Sequence, residues 1–130
     1  EAPCTKAHSI VKSVLADKGR VVLWGKIFIA KGAKLSDSFL KQTAVMLNSG
    51  ARADAMPILE IEENDVRATH ASSISHVDDN VLFYLNSRGI PTLEAKKTIA
   101  SSLLESAFEK STLQEGKDEL DKMVEQKWQA

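Results

Sequence analysis

The sequence has few of the residues and patterns that carry covalent or ligand chemistry. Cys4 is the single cysteine among 130 residues. One thiol forms no internal disulfide and cannot alone build a Cys-rich metal centre. Such usage points to a reducing compartment, the cytoplasm or a plastid stroma after removal of a transit peptide. Charge of one sign is also lacking. With 17 basic and 18 acidic residues the formal net charge is −1, so no global field calls for nucleic acid or an anionic membrane, and neither is expected as a partner. The longest apolar run, Val21-Val22-Leu23-Trp24, falls far short of the ~20 residues of a membrane helix. The start, Glu1-Ala2-Pro3-Cys4-Thr5, carries no basic segment followed by an apolar one, so no signal peptide is expected. It also carries no initiator Met, which suggests a fragment or a processed product. Gly50, Gly89 and Gly116 stand alone, so there is no glycine-rich phosphate loop, and no Gly-x-Ser-x-Gly nucleophile motif occurs.

What remains is the composition of one soluble globular domain, 43% apolar and 27% charged. The first half reads as strands. His8–Leu15 alternates roughly and ends in a turn at Asp17-Lys18-Gly19. Arg20–Ile29 comes next, with Gly25 marking a bulge, a bend or a close backbone approach. Lys31-Gly32-Ala33-Lys34 is a further turn. Phe39–Leu47, Met56–Ile61 and Val66–His70 complete the series. Turn signals about every 10–20 residues favour many short strands, in either a sandwich or a solenoid. The first strand leaves an open edge.

The second half reads as helices. Asp78-Asp79 opens a short one that Gly89 closes. Pro91-Thr92 opens a longer one with Ala95, Ile99, Leu103, Ala107 and Phe108 at helical spacing. Ser111 and Gln114 suggest a capping box for a third, whose stripe is Leu113, Leu120, Val124 and Trp128. Strands first and helices afterwards predict an α+β chain, with a strand region over 1–77 and a helical region over 78–130.

Among candidate site residues His70 ranks first. It closes a β stretch among small neighbours, Ala68 to Ser73, that admit a close approach. Neutral imidazole is also a ready metal ligand. A hydrogen-bonded histidine at a turn is the plainer reading. His76 reads as a helix entrance and His8 as a surface residue. Glu60, Glu62, Glu63 and Asp65 could do acid–base work or bind a hard cation, but a solvated edge explains them as well. Cys4 is a weak redox or metal candidate. Arg88 suits a helix C-terminus. Trp24 and Trp128 read as core residues, with Trp128 also placed to anchor a partner.

The segment Phe83-Tyr84-Leu85-Asn86-Ser87-Arg88-Gly89-Ile90 resembles the Phe-Tyr-Leu-x-Ser-Arg-Gly-Ile signature of the SufB/SufD family of iron–sulfur cluster assembly proteins. Further blocks resemble the family in order. Gly25-Lys26-Ile27-Phe28-Ile29 is similar to its Gly-x-Ile-x-Val strand, and Pro57-Ile58-Leu59-Glu60-Ile61 to its Pro-x-Leu-Glu-Ile. Asp65-Val66-Arg67-Ala68-Thr69-His70-Ala71 is similar to its Asp-Val-x-x-Ser-His-Gly.

The resemblance implies a right-handed parallel β-helix, here its last coils, followed by a C-terminal helical region. It implies a scaffold and not an enzyme. SufB and SufD assemble a nascent iron–sulfur cluster together with SufC, an ABC-type ATPase. The family docks SufC through its C-terminal helices. This nominates Phe83, Tyr84, Arg88, Leu120 and Trp128 as partner-binding residues. The end of the β-helix would pair with a SufB-like subunit or with a second copy as a homodimer. His70 falls on the histidine the family places at that interface, a candidate ligand in a site shared between subunits for a transient cluster. Thr43 stands where the SufB branch has cysteine, so the chain resembles the SufD branch. Ala71 replaces the glycine after the histidine. Two other readings compete. One is a β-solenoid binding or structural module without a cluster role. The other is a β-helix hydrolase or lyase using Glu60, Glu62 and Asp65.

Overall fold

The computed structural model describes residues 2–108 and 114–129. Five ten-residue strands come first: β1 (Lys6–Leu15), β2 (Arg20–Ile29), β3 (Asp37–Met46), β4 (Arg52–Ile61) and β5 (Arg67–His76). Three helices come after them, α1 (Asp79–Ser87), α2 (Thr92–Glu105) and α3 (Gln114–Gln129). The chain is therefore α+β with the two kinds of element segregated.

None of the described strands pairs with its neighbour in sequence. The odd strands form one parallel sheet, ordered β1-β3-β5, and the even strands a second, β2-β4. We call these sheets A and B. Lys6 stands beside Asp37, Asp37 beside Arg67, and Arg20 beside Arg52, with unbroken register along each strand. The turns stack as well. Leu47 N–H donates to the Leu15 carbonyl at 2.8 Å, Arg52 N–H to that of Gly19 at 2.9 Å, and Val77 N–H to that of Met46 at 3.0 Å.

Side chains alternate across each strand, and in-register residues share a face. On β3 the inward set is Ser38, Leu40, Gln42, Ala44 and Met46, all buried. Leu15, Leu23, Ala44, Met46 and Ala51 form the central cluster, with Val21, Ala53 and Ala55 packed against it. Burial of each leucine here is worth about 1.5–3 kcal/mol. Small residues at 44, 51, 53 and 55 let the two sheets approach.

Gly25 does not interrupt β2. It lies inside a continuous strand, and it is there because of proximity. A Cβ at Gly25 would fall 2.8 Å from Leu40 Cδ2 and 3.1 Å from Gln42 Nε2. Of the readings the residue allowed, close approach is the one observed.

Three other expectations shift. β4 begins at Arg52 and not at Met56, because the polar-rich segment Arg52–Ala55 pairs with β2. β5 runs on to His76, because Ala71–Ser75 pairs with β3 despite weak strand-forming residues. Trp24 is not a core residue. It is 63% exposed, on the outward face of sheet B. The proposed Ser111 cap and Leu113 lie outside the described residues.

α1 follows its sequence signals, and α2 opens at Thr92 as expected but ends at Glu105, short of Ala107 and Phe108. Asp78 caps α1, its carboxylate accepting from Asn80 N–H at 2.8 Å. The chain leaves α1 through Gly89, whose φ of +84° suits glycine. Ala95 and Ala100 are the buried positions of α2. This helix lies against the outward face of β1, where Lys12 Nζ donates to Ser106 Oγ. No described helix is long and apolar enough to cross a membrane.

Candidate functional site

His70 sits within β5, not at its end. It lies in register with Leu40 and so on the inward face of sheet A. Leu40 is buried, yet His70 is exposed. The difference comes from position in the stack. β5 is the outermost strand of its sheet and β4 the outermost of the other, and no further described strand extends either. The inward residues Ser72, Ile74 and His76 share the exposure. His70 therefore stands at an open end of the sheet pair.

Directly behind it lies a buried polar link. Gln42 is 1% exposed. Its Nε2 donates to the Leu23 carbonyl of β2 at 3.0 Å, and its Oε1 accepts from Ser72 Oγ of β5 at 3.4 Å. One side chain thus ties sheet A to sheet B two residues from His70's register partner. Sequence reasoning passed over Gln42 and Ser72. The signal was a glutamine in phase with Leu40, Ala44 and Met46, where a polar residue needs partners.

Among the described residues no group of three or more His, Cys, Asp or Glu side chains is placed to hold a metal ion, so His70 gathers no ligand set around itself. His76 ends β5, just before the helix cap, and His8 lies edge-on to Phe39 at 6.1 Å on the exposed part of β1. Cys4 is exposed, with a φ of +59° and its N–H bonded to the Lys34 carbonyl at 2.8 Å.

Two of the four carboxylates have partners of their own. Glu60 pairs with Lys26 at 2.7 Å on the outward face of sheet B. Glu62 lies beyond the end of β4. Glu63 accepts from the backbone N–H groups of Gly32 and Asn64, each at 3.0 Å. The Gly32 hydrogen bond, foremost, holds its carboxyl below the usual carboxylate range.

The proposed partner-binding residues separate into two places. Phe83 and Tyr84 are exposed on α1, and the Arg88 guanidinium lies 5.3 Å from the Tyr84 ring centroid. Leu120 and Trp128 are half-buried on α3. With Val124 they line an apolar cleft of about 380 Å³ closed by Val14 and Leu47 from the sheet region and by Ala100 and Leu104 from α2. They face their own chain.

Residues 1–103 match the family described as SUF system FeS cluster assembly, SufBD core domain. The chain is 36% identical over 104 residues to an iron–sulfur cluster assembly SufBD family protein of Mycobacterium tuberculosis, covering 80% of this chain and 12% of that protein. It is 32% identical over 123 residues to the iron–sulfur cluster assembly protein SufD of Bacillus subtilis, covering 95% of this chain and 28% of that one. With SufD of Escherichia coli it shares 33% identity over 93 residues, 72% of this chain and 22% of the relative. The chain thus spans little more than a quarter, at most, of these curated relatives. With the matched region running through both sheets and into α2, the chain belongs to the SufBD core family of the SUF system for iron–sulfur cluster assembly.

Proposed function

We propose that this chain is a SufD-like scaffold in iron–sulfur cluster assembly and not an enzyme. In this reading the two parallel sheets are the last coils of a right-handed parallel β-helix. The step of about 30 residues between paired strands falls in the usual range for stacked repeats. The observation that carries the proposal is His70 on the inward face of the open end. A second β-helix subunit, SufB-like or another copy, would meet β4 and β5 there and supply further ligands. The nascent cluster is cargo held between the subunits. Thr43 in place of a thiol favours the SufD branch.

The helical region would dock a SufC-type ABC ATPase. Phe83, Tyr84 and Arg88 form the contact in this proposal. Leu120 and Trp128 act through α3, holding it against α2. ATP-driven pairing of two such ATPases would pull on two helical regions and shift the subunit interface between two states.

Size-exclusion chromatography with light scattering, on the chain mixed with a SufC-type ATPase, tests this. A stable complex is expected, weakened at least ~10-fold by Phe83→Ser with Tyr84→Ser, since exposed aromatic anchors dominate such contacts. No complex from folded protein would overturn the docking role. It would favour a β-solenoid module without a cluster role.

A further inference from the structure

The cleft between α3, α2 and the sheet region has a volume of about 380 Å³, within the ~300–1,000 Å³ usual for small-molecule sites. Its walls are the aliphatic side chains described above, joined by Ala16 from the turn after β1. The chain's own side chains leave this space unfilled, although close packing is the rule inside proteins. Water there finds almost no hydrogen-bonding partners on the walls.

Two side chains of the lining are polar, Lys127 and Trp128. Both can only donate: the ammonium carries three N–H groups, the indole one, and neither has an acceptor atom. Neither makes a side-chain hydrogen bond or an ion pair among the described residues. No lining side chain carries an oxygen. The polar end of a ligand must therefore accept. Lys127 is exposed and lies one turn after Met123, which is 59% exposed, so the two mark the mouth of the cleft. Lys127 is also in the last turn of α3, whose carbonyl end repels an anion. An anionic group gains there only by meeting the ammonium itself.

We propose that this cleft binds a medium-chain fatty acid as its carboxylate. The carboxylate accepts from Lys127 Nζ at the mouth, and the acyl chain runs inward between α2 and α3. A methylene takes about the space of one liquid water, ~30 Å³, so the cleft accommodates roughly ten carbons and the head group. Met123, a flexible thioether, closes over the exposed flank of the chain. Because the walls come from the sheet region, α2 and α3 together, an occupant ties α3 to the rest of the molecule. The cleft shares no lining residue with the open end at His70 or with the exposed face of α1, so the ligand is independent of what those surfaces bind.

Decanoate titrated into the chain carrying Trp24→Phe, followed by the fluorescence of Trp128, tests this. Trp24 is the other tryptophan and is exposed, so its replacement isolates the signal and leaves the fold intact. A saturable change with a Kd of roughly 10–100 µM is expected, the scale that one acyl chain supplies. Octanoate should bind on the order of 10-fold more weakly, since each buried methylene contributes about equally. Lys127→Met should weaken decanoate on the order of 10-fold and leave decanol unchanged. Ala16→Phe, at an exposed position on the cleft wall, should abolish binding of both with the circular dichroism unchanged. A flat titration overturns the proposal and leaves the cleft to an apolar side chain of another protein. So does decanoate binding that survives Ala16→Phe, which would place the acyl chain elsewhere. Decanol binding as tightly as decanoate, or Lys127→Met without effect, overturns the recognition of the carboxylate.

Discussion

On sheet A, the outward residue Val14 of β1 lies against α2 and α3, and Lys12 reaches Ser106 at the end of α2. On sheet B, the outward residues Val22 and Trp24 of β2 meet solvent. The two strands are adjacent in sequence and equal in length. Inward, both feed one core. The difference lies in the path of the chain after β5. The helices return to sheet A alone, so one sheet gains an apolar cover from its own chain and the other keeps its outward strip bare. Exposure of a strand residue thus reports which later element comes back to it, not the type of residue.

Four tests break or sharpen this contrast. Gln42→Ala should have the largest effect, because it removes a side chain bonded to both sheets and leaves the Leu23 carbonyl buried without its partner. A loss of about 2–4 kcal/mol in urea unfolding is expected; a loss no larger than that of a surface change would show that the link between sheets is dispensable. Gly25→Val comes next. The added carbons would press on Leu40 and Gln42 and push sheet B from sheet A, at a cost of about 1–3 kcal/mol. Thermal unfolding reads this, with Val22→Ala on the same strand as the control.

The matched pair Val14→Thr and Val22→Thr tests the outward faces directly, since Val and Thr have the same shape. Under the helices the hydroxyl should cost about 1–3 kcal/mol. On the bare face it should stay within about 0.5 kcal/mol. Equal costs would show that α2 and α3 do not cover sheet A in solution. The smallest effect concerns the corners where the chain passes from sheet B to sheet A. Glu63 after β4 accepts from Gly32 after β2. Its carboxyl is held below the ordinary value of 4.5, so its contribution is present above that pH and is lost as pH falls through the lowered value. Glu63→Gln should lower the neutral urea midpoint slightly and flatten its fall on acidification below 4.5.

Much of this was legible in the residues. Gly19 and the apolar run after it set the start of β2, and Asp78 and Gly89 bracket α1 as capping chemistry requires. His70 stood out by its small neighbours and imidazole chemistry, and the family motifs pointed to it again. What could not be read locally came from pairing. Arg52–Ala55 and Ala71–Ser75 are weak strand sequences that become strand because β2 and β3 offer them backbone partners. Trp24 misled because its exposure depends on whether a later element covers its face, which no local pattern encodes. Leu120 and Trp128 form a stripe whose surroundings no local pattern encodes; their place in the cleft beside α2 comes from packing.

The pairing of each strand with the one after next also governs how the chain can fold. The five strands offer no hairpin as a local nucleus. The first rung of sheet A forms only when Asp37–Met46 has reached Lys6–Leu15, so about 30 residues must be closed into a loop before any ladder bond repays the entropy. Within these five strands, β1 waits for β3 and β2 for β4. β5 alone finds a finished edge, that of β3, and adds to it at far smaller entropic cost. Folding of these strands is then ordered in time along the sequence, with a slow first closure in each sheet and faster accretion after it.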